Sequence, residues 1–284
     1  MAADSNNPSL IPTLDENYSS PEVSQVSTRQ GRWRCILLIK RKKARSHTED
    51  RYLALVLATA AGVLNAMALG AFGFLPSHMS GNVSQISDEV ASADTFGFLF
   101  LALLLLAFVT GGMLARMTVV LGEKIRTIFC LILLAEGVAL VGISLFEILM
   151  YSPRFNSEVL LALGFLMGVH NSTSTQLSNG RVRSTHVTGT LTDAGIALGS
   201  FLSSFFSRHK ALDRRFFRKQ LHTHLTTIFS FLTGCIAGLL LFNLFGFKAM
   251  LALGVFLIIV AVSAIVITVR TASKLMVARR APSL

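Results

Sequence analysis

Two short segments hold the residue types that chemistry would need. Residues 77–85 read Ser-His-Met-Ser-Gly-Asn-Val-Ser-Gln, and residues 185–193 read Thr-His-Val-Thr-Gly-Thr-Leu-Thr-Asp. His78, Ser80, Gly81 and Asn82 in the first stand where His186, Thr188, Gly189 and Thr190 stand in the second. The pattern suits the start of a helix at a break. Ser80 or Thr188 would cap the helix through its free amide groups. The glycine would let backbone or ligand come close, and Asn82 and Thr190 would add polar side chains. Helix starts favour anions, so two of them approaching from opposite faces would make a site for a small anion or a carboxylate. The competing reading is that these residues tie a re-entrant turn to its neighbours. Asp193, where the first segment has Gln85, either offsets the helix dipole or holds a proton or cation.

Other polar residues lie inside apolar stretches. Glu136 sits about nine residues into Ile128–Met150, near the middle of a bilayer if that stretch crosses one. It would carry a coupling proton or bond a neighbouring helix. Glu147, near the other end of the stretch, is expected to reach water. Asn65 and Asn171 are expected to serve as polar glue between helices. His170 has no matching partner, because Leu64 stands at the corresponding place. Cys35, Cys130 and Cys235 are far apart, and His222 and His224 lack metal-ligand neighbours, so neither a disulfide framework nor a metal site is expected. There is no Walker loop, HExxH or GxSxG motif, so the chain is expected to have no catalytic residue and no cofactor and not to be an enzyme.

The elements that position these residues follow from composition. The chain has 284 residues, 52% apolar and only 14% charged, with a net charge of +11 and a mean hydropathy of +0.61. Soluble domains are about a quarter charged, which excludes an ordinary soluble enzyme and a disordered regulator. The basic surplus fits the cytoplasmic face of a membrane and not a nucleic-acid partner. Six apolar stretches, Leu53–Leu75, Phe96–Ala115, Ile128–Met150, Val159–Thr175, Thr226–Phe245 and Met250–Val269, are read as transmembrane helices. With both termini in the cytoplasm, 24 of the 26 Lys and Arg lie inside, leaving Arg154 and Lys248 outside. That bias is a strong topology signal. Val187–Phe206, with Asp193 and many hydroxyls, is placed as a re-entrant or interfacial helix. Leu212–Leu221 is read as an amphipathic helix on the inner leaflet. The nine basic residues from Arg29 to Arg51 would orient the first helix or meet anionic lipid headgroups.

The two histidine motifs belong to a longer internal match. Gly62-Val63-Leu64-Asn65 aligns with Gly168-Val169-His170-Asn171, and Phe108-Val109-Thr110-Gly111 with Phe231-Leu232-Thr233-Gly234. The chain is therefore read as a duplicated unit of three helices. Three is odd, so the second unit enters from the opposite side, as in secondary transporters whose site lies between the repeats. Gly164-x-x-x-Gly168, Gly195-x-x-x-Gly199 and Gly234-x-x-x-Gly238 point to close helix packing within a chain or in a homo-oligomer.

The segments Ser77-His78-Met79-Ser80-Gly81-Asn82, Gly168-Val169-His170-Asn171 and Thr188-Gly189-Thr190-Leu191-Thr192-Asp193-Ala194-Gly195-Ile196 resemble the YoaK-like family of bacterial membrane proteins, a domain of unknown function numbered 1275. The resemblance covers roughly residues 52–270. It implies a bacterial inner-membrane protein of about six helices and implies no substrate. The resulting expectation is an all-α integral membrane protein. Residues 1–51 form a disordered basic cytoplasmic tail, 52–151 and 152–270 two inverted three-helix repeats, and 271–284 a cytoplasmic C-terminal tail. Its expected role is to move an unknown small solute as a transporter or channel. The alternatives are a membrane scaffold or sensor that docks through its basic tail, and a lipid-directed enzyme using His78 or His186 as acid and base.

Overall fold

A computed structural model describes residues 47–125, 127–150, 156–206 and 211–280. The expected N-terminal tail lies, up to residue 46, outside the described residues. Among the described residues there are eight helices and no strand: α1 His47–Phe72, α2 Met79–Ala91, α3 Thr95–Leu121, α4 Ile128–Met150, α5 Asn156–Leu177, α6 Val187–Phe206, α7 Ala211–Phe245 and α8 Phe247–Arg280.

Local chemistry sets the boundaries. α1 stops at Gly73, whose φ of 66° is the left-handed conformation that closes a helix. α3 starts at Asp94, whose carboxylate accepts from the amides of Phe96 at 3.0 Å and Gly97 at 3.1 Å, an N-cap. Gly246, with φ 58°, is the lone residue between α7 and α8.

α1, α3, α4, α7 and α8 are long and apolar enough to cross a membrane by length and composition. The chain is thus a multi-pass, all-helical membrane protein. Val159–Thr175 folds as α5 but is not among the five, because its last turns run Asn171-Ser172-Thr173-Ser174-Thr175-Gln176. α2, with 13 residues, is about 20 Å long and too short to cross about 30 Å of hydrocarbon.

The basic segment Leu212–Leu221 is helical, as expected, and continuous with the apolar stretch that follows it. It forms the first turns of α7, which runs 35 residues without interruption, about 52 Å. Residues 211–233 contain neither Pro nor Gly. Thr223 and Thr227 bond back to the carbonyls of Lys219 and Thr223, both at 3.0 Å, so their hydroxyls stay within the helix. Arg214 then reaches the end of α6, donating to the Ser204 carbonyl at 3.0 Å and lying 4.3 Å from the ring centre of Phe205. A cation there complements a helix C-terminus.

The most extensive helix pairings are α1 with α7, α3 with α5, and α4 with α8. Each is made at glycines. Gly62 faces the Phe231 carbonyl and Gly234 faces that of Thr59, while Gly168 faces the Phe108 carbonyl and Gly111 that of Phe165, all too closely to admit a Cβ. The two pairs are equivalent: Gly62 and Phe231 match Gly168 and Phe108, and Thr59 and Gly234 match Phe165 and Gly111. Gly137 and Gly254 meet across α4 and α8, in the aligned sequences Ala135-Glu136-Gly137-Val138 and Ala252-Leu253-Gly254-Val255. The helix order and the pairing are therefore unchanged when the first four helices are exchanged for the last four. Gly195 and Gly199 have open space beside them, so of the three Gly-x-x-x-Gly stripes the one on α6 is not used within the chain.

The core gathers Leu57, Leu64 and Met67 of α1, Leu133 and Leu140 of α4, Leu163 and Met167 of α5, and Met250 and Leu257 of α8. Large apolar side chains also cover the outside, including Leu103, Leu106 and Val109 on α3 and Phe229, Leu232 and Ile236 on α7. Such a surface suits contact with lipid and not with water.

Candidate functional site

Both histidine motifs are built alike. The turn before each motif helix is tied to the long helix that precedes it. In the first, the Asn65 side-chain oxygen accepts from the Ser77 hydroxyl at 2.8 Å and from the Ser77 amide at 3.3 Å. In the second, the Asn171 oxygen accepts from the Thr185 amide at 3.1 Å, and its amide group donates to the Thr185 hydroxyl. The paired asparagines therefore hold a turn to a helix, where glue between helices was expected.

The helix starts correct the capping expectation. α2 begins at Met79 with His78 as the N-cap residue, and no side chain bonds to its free amides. α6 begins at Val187. Ser80 and Thr188 consequently lie inside the first turn, exposed. The glycines serve the histidines. A Cβ on Gly81 would strike the His78 ring, and one on Gly189 would strike the His186 ring. Each imidazole folds back over its own helix three residues on, and each histidine stays exposed. Asn82 and Thr190 point inward and are buried. The Asn82 amide nitrogen has no hydrogen-bond partner, while Thr190 bonds to the His186 carbonyl at 2.8 Å.

The motifs are not packed on one another. α2 rests on α3 and α6 on α7, while α1 and α5, which hold the two turns, touch each other. Asp193 is exposed on α6, within electrostatic reach of His224 on α7. His224 is buried, with an unpartnered Nε2.

Glu136 is buried, and its partner is His170, which sequence reasoning left without a role. His170 Nδ1 lies 2.7 Å from Glu136 Oε1, and Nε2 lies 3.0 Å from the Leu57 carbonyl. Both side chains are 2% exposed. Glu136 Oε2 has no partner. The pair bridges α4 and α5, with α1 supplying the carbonyl. Glu147 is also buried, with an unpartnered Oε2, which overturns the expectation that it reaches water. It lies eleven residues after Glu136 and so on nearly the same face of α4, which packs against α8. Among the described residues no group of three His, Cys, Asp or Glu could hold a metal ion.

A family model described as "Protein of unknown function (DUF1275)" matches residues 53–263. The chain belongs to that family. No curated protein matches the chain, and no solved structure matches it.

Proposed function

We propose that this member of the DUF1275 family moves a small solute across the bacterial inner membrane, as a transporter or channel. In this reading α5 is a sixth span, and the two halves, residues 52–151 and 152–270, have opposite topology with both termini in the cytoplasm. α2 and α6 are re-entrant or interfacial helices. The solute meets the paired helix starts, with His78, Ser80, Gly81 and Asn82 on one side and His186, Thr188, Gly189, Thr190 and Asp193 on the other. Rocking of one half against the other would expose the starts in turn.

The observation that carries this reading is the exchange pattern of the helices. α1 lies on α7 as α5 lies on α3, at residues that correspond in the two halves. Interlocked halves around a self-matching α4–α8 contact form the kind of scaffold in which a site between repeats can open to either side. The uncapped start of α2 and the buried Asn82, whose amide nitrogen has no partner, are polar features suited to a small polar or anionic solute.

The test is sidedness. With Cys35, Cys130 and Cys235 replaced, Ser80→Cys and Thr188→Cys place single thiols at exposed motif positions. An impermeant thiol reagent should label the first in intact cells and the second only in inside-out vesicles. Labelling of both from the same side would overturn the inverted arrangement and favour a scaffold or sensor. Proteoliposomes challenged with small sugars, amino acids and carboxylates then test flux. Uptake of a solute that is lost in the Ser80→Ala, Thr188→Ala double variant is the expected result.

A further inference from the structure

We infer that His170 and Glu136 form a buried site for a single exchangeable proton, loaded in this conformation and released when α4 parts from α5. The argument starts from hydrogen-bond roles. The Leu57 carbonyl can only accept, so His170 Nε2 must carry a hydrogen. Nδ1 and Glu136 Oε1 are 2.7 Å apart. Two lone pairs at that distance repel, so a proton lies between them, whether bonded to nitrogen or to oxygen. The dyad as a whole is therefore neutral. Loss of that proton would leave a carboxylate facing an imidazole lone pair in a 2%-exposed position, with a net charge of minus one and no compensating donor. The closed geometry thus holds its proton. Release to water requires Glu136 to reach water, which requires α4 and α5 to separate.

The surroundings isolate the site. α1 has no titratable side chain between Leu55 and Phe72. On α4 the other acid is Glu147, three turns away, and the only other ionisable group is the buried thiol of Cys130. On α5 it is Glu158, twelve residues from His170 and exposed. α8 contributes Lys248 and Arg270, both exposed, and Lys274, Arg279 and Arg280 at its far end, while α3 contributes the exposed Arg116. Glu136 Oε2, buried and without a partner, marks a carboxyl that packing alone does not account for.

Comparison of the two halves strengthens the case. The positions equivalent to His170 and Glu136 are Leu64 on α1, in the apolar core, and Leu253 on α8, packed against it. The equivalent α1 and α8 positions are therefore apolar, while α5 and α4 carry two ionisable groups. A buried ionisable pair within a membrane protein is costly and by default marks a functional position.

The experiment is infrared difference spectroscopy of the full-length protein in lipid during pH steps, with isotope-labelled glutamate to identify carboxyl bands. The wild type should show a Glu136 carboxyl signal, a carbonyl band where the proton sits on oxygen and carboxylate stretches where it sits on nitrogen, that changes with pH only under conditions that open the protein. Glu136→Gln should abolish the signal, and His170→Gln should move it to a different pH. The variant carrying both Glu136→Leu and His170→Leu copies the equivalent Leu64 and Leu253 positions, should fold, and should also lack the signal. An unchanged glutamate spectrum in Glu136→Gln or in the double-leucine variant would overturn the inference. This result is independent of thiol sidedness, so the proton site and the transport reading can fail separately.

Discussion

If His170 and Glu136 act as one unit, removing one partner should harm the protein far more than removing both. In His170→Leu, Glu136 loses the bond to Oε1 while Oε2 already has none, so a buried carboxyl is left wholly unpaired. Breaking a buried pair in this way costs about 3–5 kcal/mol, roughly two to nearly four powers of ten in the folding equilibrium. In Glu136→Leu, His170 keeps its bond to the Leu57 carbonyl and only Nδ1 is orphaned, at about 1–3 kcal/mol. Independent effects would sum to about 4–8 kcal/mol. The double-leucine variant instead copies Leu64 and Leu253 and should fall within about 1 kcal/mol of wild type. Unfolding equilibria in bicelles, measured by steric trapping for all four proteins, complete the cycle. A double variant as unstable as the sum of the singles would refute the reasoning, because the two side chains would then not be compensating each other.

The glycine contacts give a second expectation. Gly168→Ala and Gly234→Ala each drive a methyl into a facing carbonyl and should cost about 1–3 kcal/mol. Gly195→Ala, with open space beside it, should be neutral or slightly stabilising, and thermal unfolding separates the three. Asn171→Ala strips the Thr185 amide of its partner, at about 1–3 kcal/mol. It should also speed thiol labelling of Thr188→Cys relative to the same thiol with Asn171 intact. Gly81→Ala displaces the His78 ring from its seat, so modification of His78 by a histidine-directed reagent, followed by mass spectrometry, should quicken. An unchanged rate would mean that the glycine is not there for the ring.

Much of the helical plan was legible because its signals are local. Ile128–Met150 and Val187–Phe206 fold with the very ends the sequence marks, since apolar runs and polar interruptions sit next to each other in the chain. Asn65 bonds Ser77 and Asn171 bonds Thr185, matched contacts that follow from the matched asparagines and hydroxyl residues of the two segments. Contacts across the fold were less visible. His170 was read only as lacking a counterpart in the repeat, where Leu64 stands, and its partner Glu136 lies 34 residues away on another helix. Glu147 was assigned to water from its nearness to a helix end, but its side chain is buried, which depends on packing from elsewhere in the fold. Ser80 and Thr188 have good capping chemistry, yet the helices begin at Met79 and Val187, two residues earlier than those caps would set them, with His78 as the N-cap residue of α2. The amphipathic Leu212–Leu221 and the apolar Thr226–Phe245 form one helix because nothing in the sequence interrupts the backbone between them.

The pairing of α1 with α7 and of α5 with α3 also governs how the protein can be made. Gly62 finds its seat on Phe231 only after about 170 more residues have been synthesised, some 10–30 s at bacterial or eukaryotic elongation rates. During that interval α1 is in the bilayer with its glycine face bare. Neither half is an autonomous folding unit, and a chain truncated before α7 would expose the surface of α1 that α7 covers. Two fragments cut between α4 and α5 should accordingly assemble when co-expressed, each acting as the template for the other. Synthesised alone, either half would be a substrate for quality-control proteolysis.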